Sequence, residues 1–139
     1  MKKIIITLLT MCFIITGCMN NEKTITSTQI KDLFEKHGMP SAEQTELHPD
    51  SVFLMTLNGV TPKPFLINDE QLISIYIYSS SAGVKKGIKD FEDNTATADV
   101  TAHGRYQVAN VLIFYNYESH PPKDERVEMV VKDLKSLVQ

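Results

Sequence analysis

The chain has no tryptophan, and its two cysteines, Cys12 and Cys18, both lie near its start. Beyond Cys18 there is no thiol, so that part of the chain can build no internal disulfide, no cysteine nucleophile and no thiolate metal site. It must hold together by its apolar core alone. Positive charge is also in short supply. Fourteen Lys and Arg stand against 17 Asp and Glu, a net charge of −3. That balance argues against a nucleic-acid partner, whose phosphates would be repelled. Long apolar runs are few. The apolar run at the start, Ile4 to Ile15, falls well short of the roughly 20 residues that a membrane span needs. The signatures GxSxG, SxxK and HExxH are missing, and so are the P-loop and EF-hand spacings. The four histidines, His37, His48, His103 and His120, are scattered, and no pair has the i, i+4 spacing of a helical metal site. No cofactor and no metal are implied.

What is there begins at the N-terminus. Lys2 and Lys3 precede the uncharged run "IIITLLTMCFII", "ITGC" follows, and the next charge is Glu22. This is the three-part layout of a secretory signal. Within it, Ile15-Thr16-Gly17-Cys18 resembles the lipobox of bacterial lipoproteins: an aliphatic residue, a small one, Gly or Ala, then Cys. The resemblance covers the first 18 residues. It implies a diacylglyceryl group, and so palmitate-type acyl chains, on the Cys18 thiol, with cleavage between Gly17 and Cys18. The precursor as a whole is similar in style to the small membrane lipoproteins of Gram-positive-type bacteria. Two acyl chains anchor stably where one anchors marginally, each buried methylene contributing about 0.8 kcal/mol.

On that reading residues 1–17 are a signal peptide, 18–25 a lipidated cysteine and polar tether, and 26–139 a single globular domain. Loss of Lys2 and Lys3 leaves 12 basic side chains against 17 acidic ones, a net charge of −5. The remaining length suits one domain and is too short for two.

Periodicity predicts the elements. Thr26 with Gln29 fits a capping box opening a helix that Gly38 and Pro40 end, with Ile30, Leu33 and Phe34 on one face. "SVFLMTL" is apolar on both parities and is expected as a central strand. Asn58-Gly59 and Asn68-Asp69 are turns around the edge strand "KPFLI". "QLISIYIYS" alternates, with Ile73, Ile75 and Ile77 on one side and Ser74, Tyr76 and Tyr78 on the other. A second helix starts at Ser80 or Ser81, with a stripe of Val84, Ile88 and Phe91. Gly87 lies on the same face, allowing close approach to a sheet. "ATADVTA" is expected as a short strand and "YQVANVLIFYNY" as the strongest one. Asp124 caps a last helix whose Val127, Val130, Val131, Leu134 and Leu137 face the core. The order α-β-β-β-α-β-β-α predicts an α+β two-layer sandwich, a mostly antiparallel sheet of about five strands with helices on one face. The third strand, second helix and strongest strand are expected as one right-handed parallel crossover.

Two groups of residues are candidates for function. Tyr76, Tyr78, Tyr115 and Tyr117 pair by parity within their strands. If the isoleucine face meets the helices, Tyr76 and Tyr78 point away from them, and an open tyrosine face would stack on glycan rings or anchor a partner protein. The competing expectation is that tyrosines occupy half-buried strand positions for packing. The second group is Ser81, Lys85 and Lys86, where serines, backbone N–H groups and lysines at a helix start could hold an anion. Here too a solvated lysine face is the plainer reading. The order of charge in this helix, lysines first and acids last, is unfavourable for the helix dipole. The functional expectation is a lipid-anchored extracytoplasmic lipoprotein with a non-enzymatic binding or accessory role in the cell envelope, toward another envelope protein or a wall glycan. The alternative is a small envelope hydrolase or anionic-ligand carrier using residues 79–89.

Overall fold

The computed structural model describes residues 22–47, 50–117 and 122–139. Cys12, Gly17, Cys18, His48 and His120 lie outside them. Helix α1 (Ser27–Lys36) is opened by the capping box, with the Thr26 hydroxyl accepting from the Gln29 N–H and the Gln29 side chain accepting from the Thr26 N–H. Gly38, at φ +64°, ends it. Strands β1 (Lys63–Ile67) and β2 (Gln71–Ile77) form a hairpin whose turn places Asn68 and Asp69 in the left-handed region, which Asn and Asp tolerate better than most residues. Helix α2 (Ser81–Thr95), strands β3 (Gly104–Val108) and β4 (Val111–Asn116), and helix α3 (Glu125–Leu137) complete the order. The sheet is four-stranded and antiparallel throughout, in the order β1-β2-β4-β3. This is an α+β sandwich.

Strand alternation divides the core in two. Ile73 and Ile75 of β2, with Val111, Ile113 and Tyr115 of β4, face α1 and α3, where Ile30, Phe34, Val127, Val130, Val131 and Leu134 cover them. The other parity, Tyr76 and Tyr78 with Leu112 and Phe114, faces Val84 and Phe91 of α2 and the segment carrying Phe53 and Leu57. Helices therefore cover both faces of the sheet, which gives three layers instead of the expected two. The reason is chemical. A tyrosine row reads as a half-polar, solvent-side pattern, yet each ring is mostly apolar and is buried once its hydroxyl finds an acceptor.

Other expectations are corrected in detail. "SVFLMTL" is no strand: Val52–Leu54 is a single 3-10 turn, and Leu57 makes only an isolated bridge to Val60 across the Asn58-Gly59 turn. It is apolar on both parities because it lies as a cover over the second face. "ATADVTA" is likewise not a strand. "YQVANVLIFYNY" is two strands, since the chain reverses at Ala109-Asn110 and pairs β3 with β4. Four strands result where about five were expected. The β2–β4 pair is antiparallel, so the expected crossover between them is absent. The parallel relation is instead between β2 and β3, which both run antiparallel to β4 and sit on either side of it. Leu137, expected to face the core, is exposed.

Candidate functional site

The tyrosines do not form a common open face. Tyr76 and Tyr78 share one side of β2 and stack with ring centroids 6.4 Å apart, while Tyr115 projects from the opposite side of the sheet. Tyr76 and Tyr115 are 0% exposed and Tyr78 5%. The Tyr76 hydroxyl donates to the backbone carbonyls of Phe53 (3.1 Å) and Met55 (2.9 Å), and that of Tyr78 to Leu57 (3.2 Å). Three carbonyls of the covering segment are thus held by two phenols, so these tyrosines fasten the cover to the sheet. Burial pushes the Tyr78 phenol up to about 12, with the Asp90 carboxylate adding to it. Tyr76 is pushed up further, mainly by burial and then by Tyr78. Tyr115 donates to the Gln71 side-chain oxygen and accepts from the Asp124 N–H at 2.7 Å, joining β4 to the start of α3. The expectation of an open tyrosine face at Tyr76, Tyr78 and Tyr115 is therefore overturned by burial.

Of the four candidate tyrosines only Tyr117 stays partly open, and it does so beside Tyr106 and Lys123, a grouping that the strand-by-strand reading did not make. Tyr106 and Tyr117, both half-buried, flank Lys123, whose ammonium lies 5.6 and 5.8 Å from their ring centroids. Tyr106 donates to Glu128 at 2.6 Å, and Lys123 bonds the same carboxylate. Glu128 is held below the usual carboxylate range by Lys123 first and Tyr106 second, and Lys123 is raised by the same two partners. The only hint in the sequence is that Tyr106 shares its strand parity with Gly104, which leaves room for its ring: a Cβ on Gly104 would meet it at 3.0 Å.

The proposed anion site at the start of α2 is built as expected at its cap. Ser80 is the N-cap, its hydroxyl accepting from Gly83 at 3.3 Å. The Ser81 N–H, however, donates to the carboxylate of Glu22 at 2.9 Å. The helix start does carry an anion, and it is the chain's own. The acids at the other end are engaged too: Asp93 with Lys89, Glu92 with Arg105, and Asp90 with the Asn58 N–H at 2.6 Å. Those contacts offset the unfavourable dipole order. Lys85 and Lys86 are exposed and have no acidic partner among the described residues.

Residues 22–25, expected as free tether, are fixed to the domain. Ile25 is 2% exposed, and the amide side chain of buried Asn110 clasps it from both sides. The Ile25 N–H donates to Asn110 Oδ1 at 2.6 Å, while Asn110 Nδ2 donates to the carbonyls of Ile25 (3.0 Å) and Tyr78 (2.8 Å). Lys23 donates to the Gln139 carbonyl at 2.5 Å. Asn110 satisfies every backbone group that Ile25 offers, as a neighbouring strand would. Its isolation in an otherwise apolar stretch was the one available signal.

His37 pairs with Asp133 at 3.0 Å and His103 with the Thr101 carbonyl at 2.9 Å. Among the described residues no three His, Cys, Asp or Glu side chains gather as a metal ion would require, and no helix is long and apolar enough to cross a membrane. A small cavity in the first core, lined by Phe34, Met39, Ile73, Ile113 and three valines of α3, is wholly apolar and is a packing gap. Compared with known family models, with curated proteins and with solved structures, the chain finds no match.

Proposed function

We propose that the chain is the precursor of a lipoprotein, anchored through acylated Cys18 to the outer face of a bacterial membrane, where it serves a non-enzymatic binding or accessory role. The carrying observation is the ordered run from Lys2-Lys3 through the uncharged segment to Ile15-Thr16-Gly17-Cys18. The arrangement of the domain agrees with it. Glu22, four positions after Cys18, is already bonded to the domain, so little chain separates the anchor from the folded body.

The binding role rests on surface instead of chemistry. The side chains that could act on a substrate are largely committed to the fold: Ser80 to a helix cap, Tyr76, Tyr78 and Tyr115 to carbonyl, amide and backbone partners, and His37 to Asp133. One surface open to a partner is the patch of Tyr106, Tyr117 and Lys123, two ring faces and a cation, which suits an envelope protein or a wall glycan.

Growth with a traceable fatty acid, followed by mass analysis of the purified protein, tests the anchor. The expected product begins at Cys18, carries acyl mass on that residue and partitions with membranes, and Cys18→Ser abolishes both. Wild-type protein recovered unacylated with residues 1–17 intact would remove the proposal.

A further inference from the structure

The point at which the chain joins the domain is defined by three bonded residues, and they mark one end of the molecule. Glu22 binds the first N–H of α2, Lys23 binds the carbonyl of Gln139 beyond α3, and Ile25 is clasped by Asn110 at the tip of the β3–β4 hairpin. The β2 strand also finishes here, Tyr78 and Asn110 exchanging bonds. Four residue steps separate Cys18 from Glu22, and an extended chain covers at most about 3.5 Å per step, so this end lies within roughly 14 Å of the lipid anchor.

Charge is distributed along the same axis. The first turn of α2 carries no acid of its own, the nearby Glu22 carboxylate being engaged by the Ser81 N–H, and in the next turn Lys85 and Lys86 are exposed without an acidic partner among the described residues. The opposite end of the domain carries exposed Asp69 and Glu70 in the β1–β2 turn, and Glu92 and Asp93 in the last turns of α2, the latter two paired with Arg105 and Lys89. The body released by cleavage at Cys18 is net acidic, so an anionic membrane repels it as a whole and favours only the orientation that turns its basic end inward. The screening length is about 8 Å at physiological ionic strength, so the preference acts only where the lysines come within that range of the headgroups, which so short a link to the anchor permits.

We infer that the domain lies against its own membrane with Lys85 and Lys86 on anionic lipid headgroups, so that the far end of α2 and the β1–β2 turn point outward. The inference rests on the lipid-anchor reading. It also accounts for the lysines standing at the wrong end of a helix dipole, since the position that is unfavourable in the isolated helix is the one nearest the bilayer.

The absence of thiols after Cys18 makes a clean experiment possible. Full-length protein carrying Ala82→Cys or Asn94→Cys, both at exposed positions of α2, takes a fluorophore at a single site after processing. The two positions are 12 residues apart on one helix, roughly 18 Å. The processed, acylated protein is placed in vesicles of phosphatidylcholine alone or mixed with phosphatidylglycerol, with a headgroup-level quencher lipid. The expected result is strong quenching at 82 and weak quenching at 94 in the mixed vesicles. High salt and the pair Lys85→Glu and Lys86→Glu should abolish the difference, each lysine weakening docking about fivefold. Equal quenching at the two sites in protein that floats with the vesicles overturns the orientation and leaves the anchor reading standing. Equal contrast in phosphatidylcholine alone overturns the role of anionic headgroups. Protein that does not float and carries no acyl mass on Cys18 overturns both.

Discussion

At the scale of single residues, two positions carry the second core. Gly87 faces the Tyr78 ring so closely that a Cβ there would lie 2.0 Å from the hydroxyl oxygen and 2.6 Å from Cζ. Tyr78 cannot move aside without giving up its bond to the Leu57 carbonyl and its stack on Tyr76. Gly87→Ala improves helix propensity by about 1 kcal/mol, but overpacking a buried contact costs about 1–3 kcal/mol and more where the neighbour is pinned. The expected net is a loss of about 2 kcal/mol in urea unfolding. Tyr78→Phe removes the worst contact, so the double variant should lose less than the sum of the two single losses. Strict additivity would show that the two residues do not touch. Ser74 is the converse case. Its side chain is fully buried and its hydroxyl has no partner among the described residues. An unpaired buried hydroxyl is itself a cost, so Ser74→Ala should leave stability unchanged or raise it by up to about 1 kcal/mol. A clear loss on the same urea curves would mean that the hydroxyl is bonded.

At the scale of elements, what could be read from the chain depended on whether a local rule had a competitor. The capping box at Thr26–Gln29, the stripe of Val84, Ile88 and Phe91, and the Ile73–Ile75 face of β2 each follow one rule with nothing opposing it, and each stands. The opposite face of β2 was misread because Ser74, Tyr76 and Tyr78 score as polar, while the carbonyls that make their burial affordable come from residues 53–57, far away in sequence. The β3–β4 hairpin was invisible for a different reason. Its two-residue turn, Ala109-Asn110, has neither Gly nor Pro, and Asn110 is chosen for its clasp on Ile25 instead of for the turn. Ala109 bears the consequence: it sits at φ +47°, where an L side chain is strained. Ala109→Gly should therefore stabilise the domain, by up to about 1 kcal/mol after the added freedom of the unfolded chain is set against the relief. Asn110→Leu fills similar volume but strands the Ile25 N–H, the Ile25 carbonyl and the Tyr78 carbonyl. At about 1–3 kcal/mol for each orphaned group, it should bring the domain close to unfolding and free residues 22–25 to amide exchange. If that exchange stays slow, Asn110 does not hold the tether.

At the scale of the whole molecule, with no thiol after Cys18 the layers are joined by packing, hydrogen bonds and surface ion pairs, and the second face depends on two neutral phenols. The folded pKa of Tyr78 rises from 10.0 to about 12, and that of Tyr76 rises further. A raised folded value means that the fold prefers the protonated phenol. The stabilisation is complete below about pH 10, where the unfolded chain also keeps its protons, and it is lost as pH climbs from 10 through 12. Lys123 is raised as well, through its bonds to Glu128 and Tyr106, and its contribution falls in the same direction. Stability should therefore drop steeply on the alkaline side, with the phenolate absorbance of Tyr76 and Tyr78 appearing late and coincident with loss of the circular dichroism signal. Tyr76→Phe separates the phenol from the lysine. It forfeits the bonds to the Phe53 and Met55 carbonyls, so it is less stable at neutral pH, but its stability should decline more gently above pH 10 because one fewer buried phenol must ionise. If Tyr76 and Tyr78 ionise near pH 10 while the dichroism holds, the second face is open to water and the segment at 53–57 is no fixed cover.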